Sequence, residues 1–202
     1  FFNKKTINVF HERSKIFLEM EMETASPDMM TLAIQLVTWN GKRYTGASLK
    51  SLASQTDRDW SLYVLDNGSQ SEDSKQLLQD LDEAELSANV VLESTNIGFA
   101  GGHEKLFRMH RADLVMLLNQ DACLHPDYVK NLRACFTEQE KLGSASGSIY
   151  RCSFSENGEV IQEQEIDSVG LKRGWTGDVY DSAVLSDDVF GVSGCLPMYR
   201  RS

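Results

Sequence analysis

The stretch Leu114-Val-Met-Leu-Leu-Asn-Gln-Asp121 decides how the chain is read. Its apolar run shows no alternation, which reads as a strand buried on both faces inside a parallel sheet. The run ends at once in Asn119-Gln120-Asp121. In open α/β sheets ligands sit at the carboxyl ends of the strands, where these groups would emerge. Asn119 and Asp121 are separated by one residue, so along an extended chain they point the same way. An amide oxygen and a carboxylate on one side suit a hard divalent cation, Mg²⁺ or Mn²⁺, which takes few protein ligands and leans on substrate phosphates for others. The alternative is a plain strand end and polar turn, with Asp121 merely capping the next segment of the chain.

Working outward on the N-terminal side, strand and helix alternate. Leu32–Thr38 reads as a strand, Trp39-Asn40-Gly41 as a turn, and Tyr44 to Gln55 as a helix with Leu49, Leu52 and Ala53 on one face. Leu62–Leu65 is a second strand, running into Asp66-Asn67-Gly68-Ser69, after which a helix carries Leu77, Leu78 and Leu81. Val90–Leu92 is a third strand, followed by Asn96-Ile-Gly-Phe-Ala-Gly-Gly102 and a helix to about Arg111. Beyond the central strand, Pro126 suits the first position of a helix bearing Tyr128, Val129, Leu132 and Phe136. Four such alternations with short connections predict a mainly parallel sheet with helices on both faces.

The flanks differ. Residues 1–29 read as an extension of unknown role, with a short amphipathic helix near Ile16–Met22 broken at Ser26-Pro27-Asp28. After Gly143 the sequence predicts a short strand over Ser144–Tyr150, a polar, glycine-rich stretch over Ser153–Gly177, and strand-like residues from Val189 to Tyr199. The chain is thus divided into an extension (1–29) and one domain (30–202), the latter with a nucleotide-binding half (30–142) and the start of a second half (143–202) that closes over it.

Composition narrows the function. The 202 residues suffice for one domain with a real core. A formal charge of −10, from 20 basic and 30 acidic residues, argues against a nucleic-acid partner held by a basic surface. It also means that an anionic ligand needs a metal or local donors. Cys123, Cys135, Cys152 and Cys195 lack zinc-site or disulfide spacing, so reduced thiols of a cytoplasmic protein are expected. No apolar run is long enough to span a membrane and no signal-peptide core is visible.

Polar clusters recur at consecutive strand ends: Thr38 and Asn40, Asp66 to Ser69, and Asn119 with Asp121. Asn96, Gly98, Gly101 and Gly102 open a helix, where backbone N–H groups and the helix dipole favour an anion. Asp66 is suited to accept from a base N–H or from ribose hydroxyls. His103 follows the glycines directly, and Lys42-Arg43 adjoin the first-strand loop; both are candidates for ligand contact, against ordinary packing and solvated charge. The first strand is not followed by GxGxxG, and GxxxxGK[ST] is absent, which excludes the Rossmann and P-loop motifs.

Taken in order, Thr38-Trp-Asn40, Asp66-Asn-Gly-Ser69, Asn96-Ile-Gly-Phe-Ala-Gly-Gly102 and Leu117-Leu-Asn-Gln-Asp121 resemble the motifs of family 2 glycosyltransferases of GT-A fold. The rhamnosyltransferase-like branch is the nearest likeness, and Val192-Ser-Gly-Cys195 resembles its segment near the acceptor site. The resemblance covers about residues 31–202. It implies a metal-dependent, inverting transfer of a sugar from a nucleotide diphosphate, UDP- or dTDP-linked, to a saccharide or glycolipid acceptor. It also implies polysaccharide or cell-wall synthesis in the cytoplasm, with peripheral association at the inner face of the membrane compatible with it. By the same resemblance Thr38, Asn40, Asp66, Asn67, Asn96, Gly98, Gly101 and Gly102 belong to the donor site, and Asn119 and Asp121 stand at the DxD-like metal and donor position. The resemblance places the catalytic base in an acidic segment beyond Ser202. Asp187-Asp188 precedes Val192 and so lies on the wrong side of the motif. On that reading the chain is a donor-binding part, and a nucleotide-sugar-binding module without turnover is the second expectation.

Overall fold

The computed structural model describes residues 30–155, 159–184 and 189–201, with the backbone alone of 4–8 and 162. In chain order the elements are β1 (Lys4–Asn8), β2 (Leu32–Thr38), α1 (Thr45–Ala53), β3 (Ser61–Asp66), α2 (Ser71–Glu83), β4 (Ala88–Leu92), α3 (Gly98–Phe107), β5 (Leu114–Asn119), β6 (Ala122–Cys123) and α4 (Tyr128–Glu138). Next come β7 (Ser144–Ala145), β8 (Ser148–Phe154), β9 (Val160–Ser168), β10 (Leu171–Arg173), β11 (Val179–Asp181) and β12 (Met198–Arg200).

A six-stranded sheet with the order β4-β3-β2-β5-β12-β7 carries the site. β4, β3, β2 and β5 are parallel, while β12 runs antiparallel to β5 and β7 antiparallel to β12. The chain builds outward from β2 to β3 and β4, then returns to place β5 on the other side of β2. Right-handed crossovers in opposite directions put their helices on opposite faces. Leu32, Ile34 and Leu36 of β2 accordingly join Leu49 and Leu52 of α1, Leu77 and Leu81 of α2, and Tyr128, Leu132 and Phe136 of α4 in one buried core. On the other face α3 lies close: a Cβ on Gly102 would sit 3.0 Å from both methyl groups of Val37. β5 is buried on both sides, as its unbroken apolar run requires.

The helix expected from Pro126 starts two residues later, at Tyr128, with Asp127 at its N-cap. Two expectations for the second half are revised. Part of the glycine-rich, polar stretch is strand: β9 pairs antiparallel with β8, and β10 with β11 in a hairpin. β9 reads as polar because most of its described side chains face solvent, so no apolar pattern is imposed on it. Conversely, Val189–Pro197 is mostly irregular, and only Met198–Arg200 enters the sheet. Within the N-terminal extension, Lys4–Asn8 is a strand between β6 and β8. The helix expected near Ile16–Met22 lies outside the described residues. No described helix is long and apolar enough to cross a membrane.

Buried polar groups lock these layers. Arg133 of α4 pairs with Asp57 at 2.8 Å and donates to the carbonyls of Met30, at 2.7 Å, and Asp59, at 2.5 Å. It thereby ties α4 to the segments that enter β2 and β3. The hydroxyl of Tyr128 donates to the Leu196 carbonyl at 2.7 Å and accepts from the Gly147 N–H at 3.1 Å. Burial pushes this phenol above its usual pKa, so it stays a neutral donor. On the opposite face Gln35 is buried between two histidines, 3.1 Å from His103 Nδ1 and 3.0 Å from His110 Nε2. Oriented to match its neighbours, its amide nitrogen donates to His103, while its oxygen accepts from His110 Nε2 and the Phe107 N–H. Both rings are then neutral.

Two outcomes are expected. Tyr128→Phe leaves a buried carbonyl and N–H without a partner and lowers stability by about 1–3 kcal/mol, read from urea denaturation. The histidines give a pH dependence. Burial lowers the pKa of His103, and burial followed by the charges of Arg201 and Arg111 that of His110, each from 6.5 to about 4. The unfolded chain therefore takes up protons first. Stability is whole above about pH 6.5, falls as pH drops toward 4, and levels off below it, measured by denaturation at a series of pH values.

Candidate donor-binding cleft

The reversal of strand order between β2 and β5 opens a crevice at their carboxyl ends, the switch point at which α/β sheets bind ligands. A cleft of about 260 Å³ lies there, lined by Val37, Thr38, Trp39, Asn67, Asn96, Phe99, Asn119, Gln120 and Asp121. Five of these, Thr38, Asn67, Asn96, Asn119 and Asp121, are among the sequence-derived candidates.

The loops around the cleft hold one another. After β2, the Trp39 N–H donates to Gln120 Oε1 at 2.8 Å and Gln120 Nε2 donates back to the Trp39 carbonyl at 3.3 Å. Gln120 thus fastens the Asn119-Gln120-Asp121 turn to the first-strand loop. A side chain on Gly41 would meet Gln120 Oε1 at 2.6 Å, so the join requires glycine there. The Asn40 N–H donates to Ser69 Oγ, and its Oδ1 accepts from the Gln70 N–H, both at 2.9 Å. Asn40 stands at φ +48°, a left-handed conformation that asparagine tolerates. It links two loops and is not part of the cleft wall.

Asp66 and Asn67 also turn inward. The buried Asp66 carboxylate accepts from the Ser69 N–H at 3.3 Å and from the Ser74 hydroxyl, holding the start of α2. Asn67 is buried as well; its Oδ1 accepts from the Ile97 N–H at 2.9 Å, and its Nδ2 donates to Asn96 Oδ1 at 3.1 Å and to the Gly98 carbonyl at 3.2 Å. One side chain therefore shapes the turn that opens α3. Gly98, at φ +81°, makes that turn, and Asn96 Oδ1 accepts from its N–H at 2.8 Å. Gly102 packs against Val37 and Leu65 beneath the helix, and Gly101 faces Ile97; neither lines the cleft.

At the other wall, Asn119 Oδ1 is buried and has no hydrogen-bond partner among the described residues. Asp121 lines the same cleft two residues on. An unpaired buried acceptor costs free energy unless something else satisfies it, and a divalent cation or a ligand donor would do so. No cluster of three or more His, Cys, Asp or Glu capable of holding a metal exists among the described residues, so a cation here would draw its remaining ligands from substrate and water.

Trp39, 53% exposed, and Phe99, 51% exposed, offer aromatic faces to the cleft. Neither they nor Gln120 were among the candidates read from the sequence. An exposed tryptophan in a strand-end turn and a phenylalanine inside a glycine-rich turn are the signals that point to them. Lys42 and Arg43 are placed elsewhere: Arg43 donates to the Phe154 carbonyl at 3.2 Å, and both line a separate hollow beside Glu159. The thiols of Cys123 and Cys195 are buried; burial, then the charge of Cys152, pushes Cys123 up to about 12, which removes it as a nucleophile. Asp187-Asp188 lies outside the described residues.

This geometry and the motif order meet in one finding: the sequence profile of glycosyl transferase family 2 matches residues 34–202. The chain belongs to glycosyl transferase family 2. Its fold is similar to that of the mannosyltransferase PcManGT from Pyrobaculum calidifontis, solved with GDP-Man and Mn²⁺, at a TM-score of 0.53 and 19% identity over 65% of this chain and 40% of that one. S. aureus TarS 1-349 is similar at a TM-score of 0.51 and 16% identity, over 85% of this chain and 47% of that one. Its complex with UDP-GlcNAc matches at a TM-score of 0.50 and 20% identity, over 55% and 32%. The matched part thus spans less than half of each of these chains, and at such identities the likeness concerns the fold. A comparison with curated protein sequences finds no match.

Within this family 2 domain Gly68 provides a test of the cleft's framework. It stands at φ +72°, and a Cβ there would lie 2.6 Å from the Thr95 carbonyl carbon. Gly68→Ala is expected to cost at least about 1 kcal/mol in chemical denaturation, because both the conformation and the contact oppose a side chain.

Proposed function

We propose that this family 2 domain binds a nucleotide diphosphate-sugar in the β2–β5 cleft and transfers the sugar, with inversion, to an acceptor hydroxyl. The observation that carries the reading is the buried Asn119 Oδ1, without a partner among the described residues, in the same cleft as Asp121 at the strand-order switch point. These two oxygens fit a Mg²⁺ or Mn²⁺ ion that takes its other ligands from the diphosphate. Once bound, such an ion stabilises negative charge on the departing diphosphate. The chain's own groups do the rest. Trp39 and Phe99 offer faces for stacking a base, Thr38 and Asn96 supply polar edges, and the N-terminus of α3 favours an anion. Asp66 and Asn40 act from behind the wall by fixing its loops, and Asn67 fixes the turn over 96–98 from within the lining.

The donor is a UDP- or dTDP-linked sugar, and the motif likeness favours a rhamnosyl- or hexosyl-type donor. The GDP-Man complex of PcManGT adds GDP to the nucleotides worth testing. The acceptor is a saccharide or glycolipid in polysaccharide or cell-wall assembly, which places the domain in the cytoplasm at the inner membrane face. Asp121 is the one carboxylate lining the cleft among the described residues. With Asp121 committed to the cation, no further carboxylate of the described lining is left to deprotonate the acceptor. That observation also sustains a second reading, a donor-binding module without turnover.

Thermal denaturation with UDP, dTDP and GDP, each with and without Mn²⁺, tests the binding step. A nucleotide that binds the folded chain raises stability by about 2.7 kcal/mol at a hundredfold excess over Kd. The expected result is a Mn²⁺-dependent shift with one nucleotide, abolished in Asp121→Ala and reduced in Asn119→Ala. No shift with any nucleotide would overturn the donor site. Sugar transfer by the chain that shows the shift separates enzyme from binding module.

A further inference from the structure

A second hollow lies on the α3 face of the sheet. Its volume is about 430 Å³, and it is lined by Gln35, His103, Phe107, Val115, Leu117 and Arg201, with Glu104, Tyr199 and Arg200 completing it. That volume is in the range of small-molecule pockets. Its apolar surface comes from Val115 and Leu117 of β5 and from the Phe107 ring. Two N–H groups of its lining residues are buried and have no partner among the described residues: His103 Nε2 and Arg201 Nε. His103 is only 8% exposed, and its other ring nitrogen is held by Gln35, which leaves Nε2 with the proton and nothing to receive it.

The charges around the hollow are unbalanced. Arg201 lies 3.7 Å from the centre of the Phe107 ring, and its terminal nitrogens donate to the Phe107 and His110 carbonyls, both at 2.9 Å, at the end of α3. Arg111 donates to the same His110 carbonyl at 2.9 Å. Glu104 is taken up by Arg108 at 2.5 Å, and Lys105 by Glu93. Among the described residues neither Arg111 nor Arg201 has a carboxylate partner. Two guanidinium groups, of which Arg201 lines the hollow, therefore share one carbonyl, in a chain whose formal charge is −10. Such a place favours an anion, which would relieve the repulsion between the cations and accept the orphaned hydrogen bond.

We propose that this hollow is a binding site for a small organic anion, a carboxylate on an apolar body, whose oxygens accept from His103 Nε2–H and Arg201 Nε–H while the body lies on Val115, Leu117 and Phe107. The site is separate from the cleft at the strand ends and does not depend on the reading given to it. It also gives His103, which comes directly after the glycine-rich turn, a ligand contact on the face away from that cleft.

Benzoate is the probe, with benzyl alcohol (same body, no charge) and acetate (same charge, no body) as comparisons, titrated by calorimetry and by ¹⁵N NMR of the histidine rings. The expected result is saturable benzoate binding that moves the His103 Nε2 signal and weakens by about tenfold or more in His103→Phe. Leu117→Phe, which narrows the hollow and keeps the strand apolar, is expected to weaken it too. Asp121→Ala is expected to leave it unchanged, so a failed nucleotide site and a failed anion site are told apart. Benzoate titration without saturation, an unmoved His103 signal, equal binding of benzyl alcohol, or undiminished binding in both hollow variants would each overturn the proposal.

Discussion

Strands β2 and β5 lie side by side, covered on one face by α1, α2 and α4; on the other face α3 covers β2, and Val115 and Leu117 of β5 border a hollow. Almost all of their side chains are buried, which leaves little room for polar chemistry along the strands themselves. A polar side chain in such a strand must find a partner inside, as Gln35 does between His103 and His110, or wait for the strand's end. Thr38 and Asn119 are the ends, and Val37 pairs in register with Asn119. The cleft is where a dry sheet becomes wet.

The reversal of strand order then turns two strand ends into a site. The loops after β2 and β3 are drawn to α1 and α2, while the chain after β4 crosses to the other face through α3. Between them no described element covers the carboxyl edge, and the crevice remains. Its walls are rigid because the loops share hydrogen bonds: Gln120 with Trp39, Asn40 with Ser69 and Gln70, Asn67 with residues 96–98. These bonds are made without a ligand, so little ordering remains to oppose binding. Asn119 Oδ1 is the exception, a buried acceptor left without a partner among the described residues.

Strand-end residues thus divide into two kinds that look alike in the sequence. Asp66, Asn67 and Asn40 are as polar and as close to the carboxyl edge as Asn119. Their side chains nevertheless turn to backbone N–H groups or hydroxyls of neighbouring loops. The difference lies in what stands next to them. β3 is flanked by the starts of α2 and α3, whose first N–H groups lack helical partners and compete for any nearby acceptor. β5 is flanked by β12, which runs the other way and presents no helix start at that edge. The acceptor at the end of β5 is accordingly left for the cleft.

The sequence by itself determined the parallel α/β core, because hydrophobic periodicity and strand-end punctuation are local properties of the chain. It also marked the four clusters that crowd the carboxyl edge, since polar residues at the end of an apolar strand need no distant partner to be recognised. Tertiary structure alone decided which of them face the cleft. Asn67 could be assigned to the turn over 96–98 only once β3 and α3 were adjacent, and Gln120 to Trp39 only once β5 lay beside β2. Strand order decided the rest, because it brings together residues far apart in the chain, such as Trp39 and Gln120. No local pattern records that pairing. For the same reason β9 could not be read from its polar sequence, whereas β5 could: a strand dry on both faces is legible in its own residues, and one that is mostly wet is defined by its partner.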